Sequence, residues 1–328
     1  MRWIFLFFLV PIFFTSIIAD GFKKYASEFI YLGVGGRPNA MGGAYVSVAN
    51  DVTAGYWNPA GLTEAKGFQI QFMHAKLYMS SIQYDYFGFS NQFESGLNLG
   101  LSMIRLGIDD ILDSRNAGEF DPEGNLIGIN ESEIVKFNIA DYLFIFSYAR
   151  SLTDKISYGA NIKLIYRNYY IESAQGIGFD FGAIYRIIPS LRLGLMLRDI
   201  TTTMMAWSTG LKEFIIPSVR PGISYIYNIP AIYLYIQPSL DLIVLGESRN
   251  KSSQLYLGGP LSLDTFWGVE LGFKNAVFIR LGYDDLERFC AGAGLNIQKF
   301  CVDYSYTNFD RELGNVHRIS FHLRLNSL

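Results

Sequence analysis

The side chains of this sequence that could bind a metal or act as nucleophiles are few, and none stands at a working spacing. The three histidines, His74, His317 and His322, have no Cys, Asp or Glu at the short intervals that metal ligands need. Neither a G-x-S-x-G elbow nor an H-E-x-x-H helix occurs, which excludes the common serine-hydrolase and zinc-protease arrangements. The stretch "GVGGRP", Gly33 to Pro38, has the look of a phosphate loop. Pro38 stands where the last glycine of G-x-G-x-x-G is required, and no G-K-[ST] follows, so that chemistry fails too. Asp109, Asp110, Asp113, Asp121 and Glu123 lack the D-x-[DN]-x-[DN]-G spacing of a calcium loop and read as a solvated loop. The chain reads as a non-enzyme with no metal and no cofactor. A barrel enzyme such as a lipase or protease is the alternative.

The composition says what kind of elements must be present instead. Charged residues are 17% of the 328-residue chain, below the usual quarter, while hydrophobic residues are 50% and aromatics 16%. With 22 Tyr, 26 Phe and 32 Gly, this favours β-structure in contact with something apolar. Net charge is −3 and no Lys/Arg cluster is dense enough for nucleic acid. Arg2, the apolar run Trp3 to Ile18 and the small Ala19 give the pattern of an export signal, with cleavage expected near Ala19. An uncleaved anchor is the alternative, and the run is a little short for it.

Beyond residue 20 the recurrent pattern is alternation with period two. In "VHRISFHLRL", Ile319, Phe321, Leu323 and Leu325 share one face, and Arg318, Ser320, His322 and Arg324 the other. "LRLGLMLR" sets Leu191, Leu193, Leu195 and Leu197 against Arg192, Gly194, Met196 and Arg198. About 14 such strands can be placed between residues 67 and 326, most near the 9–11 residues of a tilted spanning strand. With both ends of the strand array on one side, the turns there are short, "NQFE", "RSLTDK", "IIPS", "NIPA", "KN" and "QK". The long segments 107–137, 200–217, 244–264 and 308–315 all fall on the other side. Outer-membrane barrels have this asymmetry, whereas a soluble sandwich, the competing fold, has no need of it.

The expected fold is therefore an all-β transmembrane antiparallel barrel. Its lumen face would carry Lys163, Arg167, Asp180, Arg186, Arg192, Arg198, Arg220, Asp241, Glu270, Arg280, Asp303, Arg318 and Arg324. So charged an interior argues against a wholly apolar conduit. If Gln298 and Lys299 form a two-residue turn, Cys301 lies opposite Asn296, and its sulfur is roughly 20 Å from that of Cys290. Two free thiols follow from that register.

A barrel of this size encloses more space than its own side chains fill. Residues 20–66 precede the first strand, are rich in glycine and are of a size to occupy that lumen as a plug, with 67–328 forming the barrel. Non-strand backbone is tolerated at membrane depth only in such a place. Here a resemblance becomes specific. "LGVGGRPNAMGGAYVSVANDVTAGYWNPAGL", positions 32–62, resembles the N-terminal signature of the PorV/PorQ family within the FadL-like outer-membrane barrels. "NPAGL" (Asn58 to Leu62) is similar to the mark of the wider superfamily. Gly35, Arg37, Met41, Gly42, Gly43, Ala44, Asp51 and Trp57, followed by Asn58, Pro59 and Ala60, bring it closer to the PorV type. The region from Gly268 to Phe321 is also similar to that family.

The resemblance implies the outer membrane of a diderm bacterium, contact with its lipid, and one of two kinds of work. One is handling of exported proteins or of secretion-machinery components in type IX-like secretion, the reading this motif favours. The other is transport of hydrophobic small molecules.

Overall fold

A computed structural model describes residues 22–24, 28–246, 254–256, 261–309 and 314–325. The export-signal segment lies outside the described residues. Fourteen strands form the wall. In chain order they are β1 (Phe68–Leu77), β2 (Ile82–Gln92), β3 (Leu97–Asp113), β4 (Val135–Ser151), β5 (Ile156–Tyr169), β6 (Glu172–Ile188) and β7 (Leu191–Arg198). They continue as β8 (Ser218–Tyr225), β9 (Leu234–Leu245), β10 (Ser262–Phe273), β11 (Val277–Tyr283), β12 (Phe289–Ile297), β13 (Phe300–Thr307) and β14 (Val316–Leu325). Each pairs antiparallel with the next, and β1 pairs with β14 from Phe68↔Leu325 to Lys76↔His317. That last pairing closes the sheet, so the wall has no free edge, which a sheet in lipid must avoid.

Alternation decides which way each side chain faces. On β14, Ile319 and Phe321 are 46% and 56% exposed, while Ser320 between them is fully buried. The same alternation runs round the wall: the outward face is a belt rich in Leu, Ile, Val, Phe and Tyr, and the inward face mixes small, polar and charged residues with apolar ones that pack on the inner segment, such as Met73, Tyr84, Tyr86 and Ile104. A belt of that extent exceeds any apolar patch a soluble monomer carries; lipid is its natural solvent. The register between β12 and β13 pairs Asn296 with Cys301 and Ile297 with Phe300, and both thiols are free and buried, as the two-residue turn requires.

Two long connections contain more regular structure than the sequence pattern suggests. Segment 107–137 is not simply loop. The β3–β4 ladder runs on to Asp113↔Val135 past a bulge between Ile108 and Ile111, then gives way to a separate hairpin, Gly118–Phe120 with Leu126–Ile129. Outside the apolar belt the backbone ladder persists without apolar alternation, so period two no longer marks it. Segment 200–217 holds a second hairpin, Thr203–Met204–Met205–Ala206–Trp207 with Lys212–Ile215, which continues β7 and β8 above a break at 199–202. A short strand Phe22–Lys24, inside the region expected to have none, pairs parallel with it. Pro221 lies within β8, where the β8–β9 ladder skips Arg220 and Pro221, the local cost of a residue without an N–H.

Candidate functional site

Residues 29–65 touch wall strands on all sides. Gly36 N–H donates to Ser320 Oγ of β14 (2.7 Å), Asn58 Nδ2 to the Ala183 carbonyl of β6 (3.1 Å), and Tyr45 N–H to Asp241 Oδ2 of β9 (2.8 Å). Most of the segment is buried by that ring of partners. It contains two short α-helices, α1 (Gly36–Ala40) and α2 (Ala54–Trp57), and 3-10 turns at Glu28–Tyr31 and Pro59–Glu64.

Glycine on both sides permits this closeness. Gly42 and Gly43 have φ of 62° and 83°, which L-residues avoid, and the turn lies against the Tyr283 backbone. The wall answers with glycines of its own. A Cβ on Gly268 would sit 2.5 Å from the Met41 carbonyl oxygen; on Gly194, 2.6 Å from that of Val46; on Gly159, 2.6 Å from the Pro59 carbonyl carbon. Gly282 likewise faces the Met41–Gly42 peptide. These wall glycines occupy inward positions of β10, β7, β5 and β11. Their signal in the sequence is glycine in lumen phase, and it was passed over in favour of the charges.

The remaining motif residues hold the segment's two halves together. Trp57 Nε1 donates to the Val34 carbonyl (2.9 Å), and Tyr56 Oη to that of Ile30 (2.7 Å). Asn58 caps the 3-10 turn by accepting from Ala60 N–H (3.2 Å), while its amide spans Val46 and Ala183. Pro59 opens that turn, where a missing N–H costs nothing. Ala44 packs with Ile243 and Phe266, and Met41 is fully buried.

Arg37 and Asp51 belong to a chain of charges. Arg37 makes a bidentate pair with Glu270 (2.7 and 2.9 Å) and donates to Asn50 Oδ1 (2.7 Å), with Asp51 at 3.8 Å. Glu270 also accepts from Arg280 (2.6 Å) and Tyr235 (2.8 Å), and Arg280 reaches Asp303 (2.6 Å). Burial alone would raise the Asp51 carboxyl. Arg37, His322 and the hydrogen bonds from Thr53 and Tyr45 outweigh it and hold the group below the ordinary carboxylate range.

The other inward charges form separate groups. Lys163 bridges Asp180 (2.7 Å) and Asp199 (2.5 Å); Arg220 pairs with Asp241 (3.2 Å) and donates to the Gly43 carbonyl (2.6 Å). Arg186 and Arg192 both hold Glu64 (3.0 and 2.8 Å), and Arg167 pairs with Asp141 (2.7 Å). Arg198 and Arg318 are in no ion pair among the described residues. Arg198 lies over the Tyr56 ring (4.8 Å) and donates to the Tyr56 carbonyl; Arg318 bonds Thr307 (3.0 Å). Arg324 is exposed at the end with the short turns. Sequence phase could not place Asp199. It follows Arg198, so it is out of phase, and turns inward only because its φ is 55°.

The segment separates two cavities. At the inner end, with the short turns, about 920 Å³ is lined mainly by polar groups including Arg37, Asp51, Glu64, Arg280, Asp303 and Arg324. At the outer end, with the long connections, about 890 Å³ is lined by Tyr31, Trp57, Phe214, Ile216, Phe266 and Phe309 among others, with Arg198, Arg220, Arg288 and Arg318 and the carboxylates of Asp264, Asp284, Asp285 and Glu287 at one side. Arg220 lies 3.9 Å from the Phe266 ring centre. The outer cavity is of a size and lining that suit a small apolar ligand. Tyr235, Asn50, Glu64 and Phe266 were not anticipated from sequence, because neither motif nor period marks them.

No protein-family model and no curated protein matches the chain. Among solved structures, the Ralstonia pickettii toluene transporter TbuX is 13% identical, with a TM-score of 0.56, over 90% of this chain and 99% of its own. The monoaromatic hydrocarbon channel CymD is 12% identical, with a TM-score of 0.57, over 90% and 98%. The P. putida toluene transporter TodX is 11% identical, with a TM-score of 0.56, over 90% and 99%. At these identities the likeness is one of fold. The chain has the 14-strand transmembrane barrel fold that these hydrocarbon transporters share.

Proposed function

We propose that this protein carries hydrophobic small molecules across the outer membrane of a diderm bacterium. The observation that carries the reading is the outer cavity: aromatic and aliphatic walls, a suitable volume, and a floor made by the inner segment. The fold likeness supports it. In this reading residues 20–66 are a plug, with Gly35, Arg37, Met41, Gly42, Gly43, Asp51, Trp57, Asn58, Pro59 and Ala60 holding it closed. The lumen charges pin it, and residues 67–328 form the barrel.

So charged a lumen argues against a wholly apolar conduit, but not against a local apolar site. Most of those charges are paired with one another or with the segment, and the apolar space lies beyond them at the outer end. Arg198 and Arg318, lacking carboxylate partners among the described residues, suit a ligand with an apolar body and a polar end. The test is uptake of labelled aromatic hydrocarbon and of labelled fatty acid by cells whose outer membrane lacks other such barrels. Uptake should rise on expression of the wild type and fall back with Phe266→Arg.

Handling of exported protein, the work implied by the PorV resemblance, is the second reading. One observation favours it. The hairpin Gly118–Ile129 pairs only with itself and exposes Phe120, Leu126, Ile127 and Ile129 at 62, 59, 67 and 63%. A protein partner would cover those side chains. Crosslinking from Ile127 in cells should capture an exported protein if this reading holds, and should capture none if the barrel works alone.

A further inference from the structure

Where the outward apolar belt of β14 and β1 ends, its last outward positions are basic. His317 and Lys76 are direct cross-strand partners, and His74 lies two residues below Lys76 on the same face. All three are outward by register: Met73, Ala75 and Leu77 on β1 and Arg318 on β14 are the buried alternates. Neither Lys76 nor His317 offers the other a countercharge, and an anion between them would accept from both. Lys76 has no ion-pair or hydrogen-bond partner among the described residues, and its neighbour on the other side is Gln83, not an acid. His74 is held by Asp85 (2.7 Å), which also lies 3.7 Å from Arg105.

The flanking groups are those of a membrane interface. Tyr304 and Tyr306 on β13 lie beside His317, with ring centres at 6.0 and 5.6 Å, and belong to the aromatic girdle that marks headgroup level. Tyr304 Oη is 2.6 Å from His317 Nδ1. With the tyrosine donating, the ring proton resides on Nε2, which makes that atom a donor even in the neutral ring. Below the site Ile319 and Phe321 continue the apolar belt where acyl chains would lie.

We propose that Lys76 and His317, with His74 beside them, seat the phosphate of a glycolipid headgroup in the outer leaflet, on the outside of the barrel and apart from the transport path. The inference uses the outer-membrane placement made above but not the identity of the cargo, so it can fail while the transport reading stands. Lysine and the His317 Nε2–H supply donors to the phosphate, and the girdle tyrosines hold the sugar edge. Asp85, already engaged by His74 and Arg105, marks the limit of the anion site on the β2 side.

The experiment is native mass spectrometry of the full protein, with lipid A carrying two, one or no phosphates as the probe. Wild type should retain bisphosphorylated lipid A at least tenfold better than the dephosphorylated form. Lys76→Gln/His317→Gln should lose that preference, while Lys76→Arg and the control Gln175→Ala, outward on β6, keep it. Heat-modifiable migration in gels verifies that each variant is a folded barrel. Millimolar inorganic phosphate should leave the complex intact. Equal retention of the dephosphorylated lipid, unchanged preference in the double variant, or displacement by inorganic phosphate would each overturn the assignment.

Discussion

The two cavities are similar in volume and differ in lining. At the inner end, Arg37, Glu270, Arg280 and Asp303 form a continuous chain with Asp51 close to Arg37, so the side chains there are committed to one another. At the outer end, aromatic rings line the space, and two of its arginines find rings and neutral oxygens instead of carboxylates. The difference teaches that the inner end holds the segment. In the proposed reading, the outer end receives the ligand and the segment is the floor that must move to let it pass.

Breaking the inner chain should have the largest effect. Arg37→Ala removes the bidentate partner of buried Glu270, a loss of about 3 kcal/mol, the low end for a broken buried pair because Arg280 and Tyr235 still hold the carboxylate. Amide hydrogen exchange across residues 29–65 should accelerate strongly while the wall strands keep their protection. Next comes the glycine contact. Gly268→Ala drives a methyl against the Met41 carbonyl and should cost about 1–3 kcal/mol by overpacking, read as a lowered unfolding midpoint.

At the outer end, Phe266→Ala removes an aromatic wall and should weaken an apolar ligand roughly 10- to 100-fold in Kd, while Phe278→Ala in the inner cavity leaves Kd unchanged. Equal effects from both would erase the contrast between the cavities.

Acid tests the inner chain from another side. The folded Asp51 carboxyl ionises below its unfolded value, so the stability it contributes is complete above the ordinary carboxylate range. That stability is lost as pH falls through the lowered folded value. Protease access to the segment should therefore increase on acidification below about pH 4 and not between pH 5 and 8. The smallest effect belongs to the outer loop. Asp113 is held down to about 2 by hydrogen bonds from Arg115, yet it lies in solvent, and Asp113→Asn should leave the unfolding midpoint where it was.

The wall was legible because period two marks a face that meets lipid: Leu191 to Arg198 and Arg318 to Leu325 show it plainly. The ladder beyond the membrane was not, since Asp109 and Asp110 interrupt the pattern and bulge out of the pairing, which resumes only at Ile111. Within the segment, the motif residues marked what must be glycine or a cap. They could not say that Arg37 meets Glu270, 233 positions away, because a contact between a loop and a strand has no period. The outer cavity is illegible for a related reason: it is assembled largely from connections beyond the apolar belt, Ile216 and Phe309 among them, where no alternation marks the inward side chains.

Trp57 permits the most direct test. It lies in the segment, lines the outer cavity and is otherwise joined among the described tryptophans only by Trp207 and Trp267. In a Trp207→Phe/Trp267→Phe background, a brominated aromatic hydrocarbon should quench the emission of Trp57 with a saturable dependence on concentration. Phe266→Arg should abolish that saturation. Quenching that is absent, or that rises linearly and is indifferent to Phe266→Arg, would contradict a ligand site in the outer cavity.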